Sequence, residues 1–251
     1  MVILAVLTGL LWFQRGRGSQ IAVGADVTGL LFFELLFPSF RALYSALFTF
    51  PNEYRMLKKE RPAGMYRLSA YYAARTASDL PIELLYPTVF VTIIYWMGGL
   101  RPTAGAFICN LFSMLLLVLL AQTWGLLFGG TFMDPKTAQT ITTVAILAFL
   151  LVGGFYVKTV PVWISWLKYL SFIYWGYNLL LKIQFRKNVY YNGATPVTDL
   201  PSALGLQIDP DVGAAPELLV LIAMLVVLRA LTYVVLRVKT EIPQTRSKSA
   251  P

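Results

Sequence analysis

Phe50-Pro51-Asn52-Glu53-Tyr54-Arg55-Met56-Leu57-Lys58-Lys59-Glu60-Arg61 is a charged block set between two long apolar runs. A stretch this polar has to lie outside a hydrocarbon phase, because an intramembrane charge is expensive. Its two signs of charge recur at helical spacing, with Glu53 and Leu57 four apart and Met56 and Glu60 four apart. Glu53, Arg55, Lys59, Glu60 and Arg61 can share one polar helical face, and Tyr54, Met56 and Leu57 supply apolar contacts. The spacing predicts a folded docking element between spans. A solvated loop flanking two membrane helices would carry the same charge.

The chain around this block is membrane-type sequence. Of its 251 residues 57% are hydrophobic and 13% charged, with mean hydropathy +0.65, against about 25% charged in a soluble domain. The formal charge of +9 follows from basic residues flanking spans. No basic stripe with interleaved aromatics stands clear of the spans, so nucleic acid is not an expected partner. Cys109 is the single cysteine and there is no histidine. An intrachain disulfide, a histidine relay and a Cys/His metal site are therefore excluded.

A hydrocarbon core of about 30 Å needs roughly 20 apolar residues in a helix. Spans are expected at about 28–50, 80–97, 104–128, 137–157 and 216–237. The run at 2–13 is too short and reads as the second half of a first span, so the chain reads as truncated at its N-terminus. The fold class is all-α: a polytopic membrane protein of about six helices, with a membrane domain over 1–238 and a polar tail over 239–251. Asp134-Pro135-Lys136 is a turn in which Asp134 N-caps the next helix and Pro135 takes its first position. Residues 160–185 carry Trp163, Trp166, Tyr169, Tyr174, Trp175 and Tyr177, which favour the headgroup interface. Short helices that dip into the membrane are expected there, followed by a polar loop to residue 215.

Sidedness follows from Lys and Arg near the span ends. Eleven (Arg55, Lys58, Lys59, Arg61, Arg67, Arg75, Lys136, Arg237, Lys239, Arg246, Lys248) fall on one side, against Arg15, Arg17 and Arg101 on the other. The charged block and the C-terminus are placed in the cytosol.

Specific wording adds to this pattern. Phe50-Pro51-x-Glu53, Lys59-Glu60-Arg61, Gly64-Met65-Tyr66-Arg67-Leu68-Ser69-x-Tyr71, Ala74-Arg75 and Asp79-Leu80-Pro81 resemble the G subfamily of ABC transporters, the White-type half-transporters, with the plant members most similar. Tyr95-Trp96-Met97-x-Gly99-Leu100, Gly153-Gly154-Phe155-Tyr156-Val157 and Trp166-Leu167-Lys168-Tyr169-Leu170-Ser171 extend the similarity along the chain. The resemblance implies that Glu53, Arg55, Glu60 and Arg61 belong to a coupling helix that docks on an ATP-binding domain. No G-x-x-x-x-G-K-[ST] loop occurs in these residues. ATP and magnesium are therefore expected in a nucleotide-binding domain outside this sequence, with no cofactor and no catalytic residue here.

The second span carries Phe33, Phe37 and Phe40 at i, i+4, i+7, a spacing that ordinary packing also produces. The resemblance implies a substrate cavity at a two-fold homo- or heterodimer axis, lined by Phe33, Phe40, Thr143, Leu147 and Leu150. It implies a gate above the cavity at Phe155 and Tyr156, where aromatics stand in place of the family's aliphatic pair. Phe32, about 100° from Phe33 around the helix, is expected to tolerate truncation better. Glu34 and Arg41 are intramembrane charged residues on one face, serving either as polar contacts in the cavity or as an internal or snorkelling arrangement. Arg229 is expected to snorkel. The function implied is ATP-driven export of lipidic or flat amphipathic substrates by alternating access, in a multi-pass protein of the plasma membrane surrounded by lipid. A non-transporting partner or truncated regulator of other half-transporters, and an ion-coupled carrier, are the alternatives.

Overall fold

The computed structural model describes residues 2–15, 20–60, 66–157, 161–185 and 213–241, and these are helical with short connections. In order they are α1 (Val2–Leu11), α2 (Gln20–Leu47), α3 (Thr49–Glu60), α4 (Leu68–Met97), α5 (Ala104–Phe132), α6 (Pro135–Leu151), a 3₁₀ turn (Val162–Ile164), α7 (Trp166–Leu170), α8 (Phe172–Gln184) and α9 (Ala215–Glu241). Arg61, the polar loop over 186–212 and residues 242–251 lie outside the described residues.

Four stretches are long and apolar enough to cross a membrane: Asp26–Tyr54, Leu68–Met97, Ala104–Phe132 and Ala215–Lys239. α1 and α6 are shorter apolar helices of 10 and 17 residues. The fifth expected span does not continue to Val157, because α6 stops at Leu151. Gly153 and Gly154 turn the chain there, Gly154 at φ +91° in a region that an L side chain rarely adopts. The other boundaries also move. The helix break falls at Phe48, so Thr49 and Phe50 belong to α3 rather than to the second span. α4 starts at Leu68 rather than Leu80, since the polar residues preceding the apolar run are helical too. Lys239, expected in the tail, is still part of α9.

α5 is the centre of the bundle. It runs past the expected end at residue 128, through Gly129-Gly130, to Phe132 and closes on Met133 at φ 51°. Gly125 and Gly129 lie against the backbone of α2. A Cβ on Gly125 would stand 2.2 Å from the Leu43 carbonyl oxygen, and one on Gly129 2.3 Å from that of Leu47. Small residues four apart let two helix backbones approach, which is the main attractive device where lipid tails are as apolar as the side chains. The main core joins α2, α4, α5 and α8 through Leu31, Leu35, Phe90, Leu117, Phe172 and Leu180. A second, smaller core of Phe50, Leu57, Leu68, Leu126 and Leu236 lies under α3.

At the same end as α3, Asp134 caps α6, accepting from the Thr137 amide at 2.9 Å and its hydroxyl at 2.7 Å. α8, at about 20 Å, is too short to cross. Its Tyr177 is buried with Phe172 and Ile173, so this tyrosine packs in the core rather than at the headgroups. Trp163, Trp166 and Tyr169 just before it are exposed. Lys182 of α8 pairs with Glu217 of α9 at 2.6 Å.

Candidate translocation wall and coupling helix

The face of α2 bearing Phe33, Phe37, Phe40 and Tyr44 lies between α4 on one side and α6 on the other. Arg41 marks the α4 side, 3.5 Å from Glu83 and with its guanidinium carbon 3.7 Å from the centre of the Tyr86 ring. Tyr44 marks the α6 side, its hydroxyl 3.0 Å from that of Thr143. Phe33 is part-exposed between Trp12 and Phe37, each 5.4 Å away. Phe40 and Leu150 are partly buried against the main core, and Leu147 lies on the outer surface of α6. Apolar and aromatic residues thus line an open strip bounded by two polar contacts. Of the expected cavity residues on α6, Thr143 shares a hydrogen bond with α2.

Phe32 is not a tolerant position. It is 1% exposed and stacks on Phe155 at 4.4 Å and 12°. It also meets Tyr156 at 5.6 Å and Tyr177 at 5.5 Å edge-on. The residue placed off the aromatic face is the one that fastens Phe155 and Tyr156 to α2. Truncating it leaves a void among three rings, and Phe→Ala changes of that kind cost about 3–5 kcal/mol.

Glu34 and Arg41 do not pair with each other. Glu34 is fully buried and accepts from Asn110 of α5 at 2.8 Å, while Arg41 reaches α4. Arg229 does not snorkel. Its guanidinium donates to Gln122 of α5 at 3.1 Å and to Thr76 of α4 at 3.3 Å, and its carbonyl accepts from Tyr72 at 3.3 Å. Buried polar groups in a membrane need such partners. Asn110 and Gln122 were the available sequence signal, being amide side chains inside an apolar span.

α3 hangs from α2 with Phe50 and Leu57 buried and Met56 exposed, so Met56 lies on the outer side and Leu57 carries the apolar contact. Its two carboxylates turn towards α4. Glu53 accepts from Tyr71 and lies 3.4 Å from Arg75, which in turn lies 3.4 Å from Asp79. Glu60 accepts from Tyr66 at 2.9 Å, and Tyr66 stacks on Tyr71 at 5.7 Å. Burial, and then the bond to Glu60, push the Tyr66 hydroxyl above its ordinary range. Asn52 and Lys59 remain exposed beside Met56.

The sequence profile of the ABC-2 type transporter family matches residues 1–185. The chain is 44% identical over 237 residues to ABC transporter G family member 21 of Arabidopsis thaliana, covering 93% of this chain and 34% of that protein. It is 51% identical over 191 residues to member 14 of the same plant, covering 76% of this chain and 29% of that one. Protein white of Ceratitis capitata is 30% identical over 169 residues, covering 66% and 25%. The chain thus spans about a third of the length of the curated relatives it matches. An all-helical bundle with four membrane-length helices, matched by this profile and these relatives, identifies the chain as belonging to the ABC-2 type transporters, as a plant-like G-subfamily transmembrane domain.

Proposed function

We propose that the chain forms the translocation path of an ATP-driven exporter of lipidic or flat amphipathic molecules, working by alternating access as one half of a homo- or heterodimer in the plasma membrane. The open strip on α2 and α6, with Phe33, Phe40, Thr143, Leu147 and Leu150, is the wall of a cavity completed by the partner half. Phe155 and Tyr156 close it above. α3 receives the stroke of an ATP-binding domain, where ATP and magnesium bind and where hydrolysis occurs, with Glu53, Arg55, Glu60 and Arg61 in the coupling element.

The observation that carries this reading is the mounting of α3. Leu57 seats it in a core shared with Leu126 of α5 and Leu236 of α9, and Glu53 clasps Tyr71 and Arg75 of α4. A push on the exposed side of α3 therefore reaches three long helices together. In a polypeptide that joins this chain to an ATP-binding domain, Glu53→Ala should leave surface abundance near normal and lower substrate-stimulated ATPase activity several-fold. Stimulation unchanged at equal abundance removes α3 from the coupling path.

A further inference from the structure

Arg41 poses a question that the apolar wall does not answer. It lies inside the apolar part of α2, six residues and roughly 9 Å of helix from the end at Leu47. A guanidinium at that depth needs acceptors for five N–H donors. Among the described residues the structure supplies one, the Glu83 carboxylate at 3.5 Å through a single Nη. The Tyr86 ring covers one face of the guanidinium. The exposures of the two partners differ: the Arg41 side chain is 28% accessible and that of Glu83 only 8%. Whatever approaches from the open strip meets the edge of the cation, with its counter-anion sealed beneath. Phe37, Phe40 and Tyr44 stand on the adjoining face of the same helix, one to four residues away in sequence, and offer an apolar surface beside the charge.

We propose that Arg41 is an acid-recognition residue on this wall, and that the ligands taken there are apolar or flat amphiphiles bearing one anionic group, a carboxylate above all. The acid lies against the free edge of the guanidinium and the apolar body against Phe37, Phe40 and Tyr44. Glu83 and Tyr86 are positioning residues that hold the guanidinium at the strip's α4 margin. This rests on the cavity reading above and narrows it to a substrate class. A phospholipid headgroup offers the same chemistry but belongs at the membrane surface, well over a helical turn from this depth.

The test uses the chain in nanodiscs of phosphatidylcholine and two probes with the same flat body, pyrenebutyrate and pyrenebutanol. Binding is read as energy transfer from the protein's six tryptophans, with empty nanodiscs as the partition control. Pyrenebutyrate should bind roughly tenfold or more tightly than the alcohol, as a charge-assisted hydrogen bond requires. Arg41→Gln should erase that preference and leave alcohol binding unchanged, and Arg41→Lys should restore part of it. Phe40→Ala should weaken both probes alike. Glu83→Gln keeps an acceptor that holds Arg41 in place but removes the competing anion, so it should tighten the acid without affecting the alcohol.

Equal binding of acid and alcohol by the unaltered chain overturns the acid site while leaving the apolar wall intact. A preference that survives Arg41→Gln also overturns it. Binding of neither probe overturns both the site and the wall. If phosphatidylglycerol in the nanodisc abolishes the preference, a lipid headgroup is the occupant and the proposal fails.

Discussion

α5 and α9 are both apolar enough and long enough to cross a membrane, yet they occupy opposite situations. Half of the most apolar stretch of α5 is buried (50%), against 17% in α9. Hydrophobicity does not separate them. What separates them is that α5 carries Asn110, Ser113, Gln122, Thr123, Gly125 and Gly129, all buried, whereas α9 presents Leu219, Val226, Val227 and Val234 on its outer surface. In water an apolar side chain is drawn inwards. In lipid it gains nothing by moving, and position is decided by the residues that permit close approach or need a polar partner. Inside the bundle, small and polar residues mark the interior.

The sharpest way to break this contrast is Gly125→Leu. Its Cβ would meet the Leu43 carbonyl and the Ala46 methyl, leaving no rotamer that restores the α2–α5 crossing. The expected outcome is loss of folded protein, read as the monodisperse fraction in mild detergent. The matched enlargement on the rim, Ala230→Leu, should change stability by no more than about 0.5 kcal/mol. Comparable behaviour of the two would show that α5 is not held by close backbone contact.

A smaller effect is expected at Gln122→Leu, which removes an acceptor from Arg229 and should cost roughly 1–3 kcal/mol in an unfolding titration. Arg229→Leu added to it should recover part of that loss, because the stranded cation is then gone. Strict additivity would mean that the two side chains do not interact.

The smallest effect belongs outside the hydrocarbon, where ordinary helix-end chemistry operates. Hydrogen bonds from Thr137 hold the Asp134 carboxyl below its ordinary range. A carboxyl whose folded value is depressed stabilises fully above its unfolded value and loses that contribution as pH falls through the folded one. Asp134→Ala should therefore destabilise slightly at neutral pH and by less as pH drops through the acid range. A constant difference between variant and parent at all pH values would assign the loss to something other than the cap.

These contrasts also explain what the sequence could say. The helical class, the Asp134 cap and the charged helix at α3 were legible, because each depends on neighbours within a few residues. The family was legible from short phrases such as Gly64-Met65-Tyr66-Arg67-Leu68-Ser69. Phe32 was misread because its partner Phe155 is far away in the chain, and helical spacing alone put it off the aromatic face. The partners of Glu34, Arg41 and Arg229 were hidden for the same reason: one helix shows which direction a side chain takes, and another helix decides what it meets. The end of α6 was placed too late because Gly153-Gly154-Phe155-Tyr156 continues an apolar run while the backbone has already turned.

The ties of Arg229 have a consequence in time. Its partners Gln122 and Thr76 precede it by 107 and 153 residues. At roughly 5–20 residues per second of synthesis, both enter the membrane on the order of ten seconds before the arginine exists. During that interval Gln122 stands in the apolar α5 without the donor it meets in the folded bundle. α9, the least buried of the four long helices, thus supplies the cation that completes this polar contact with α4 and α5.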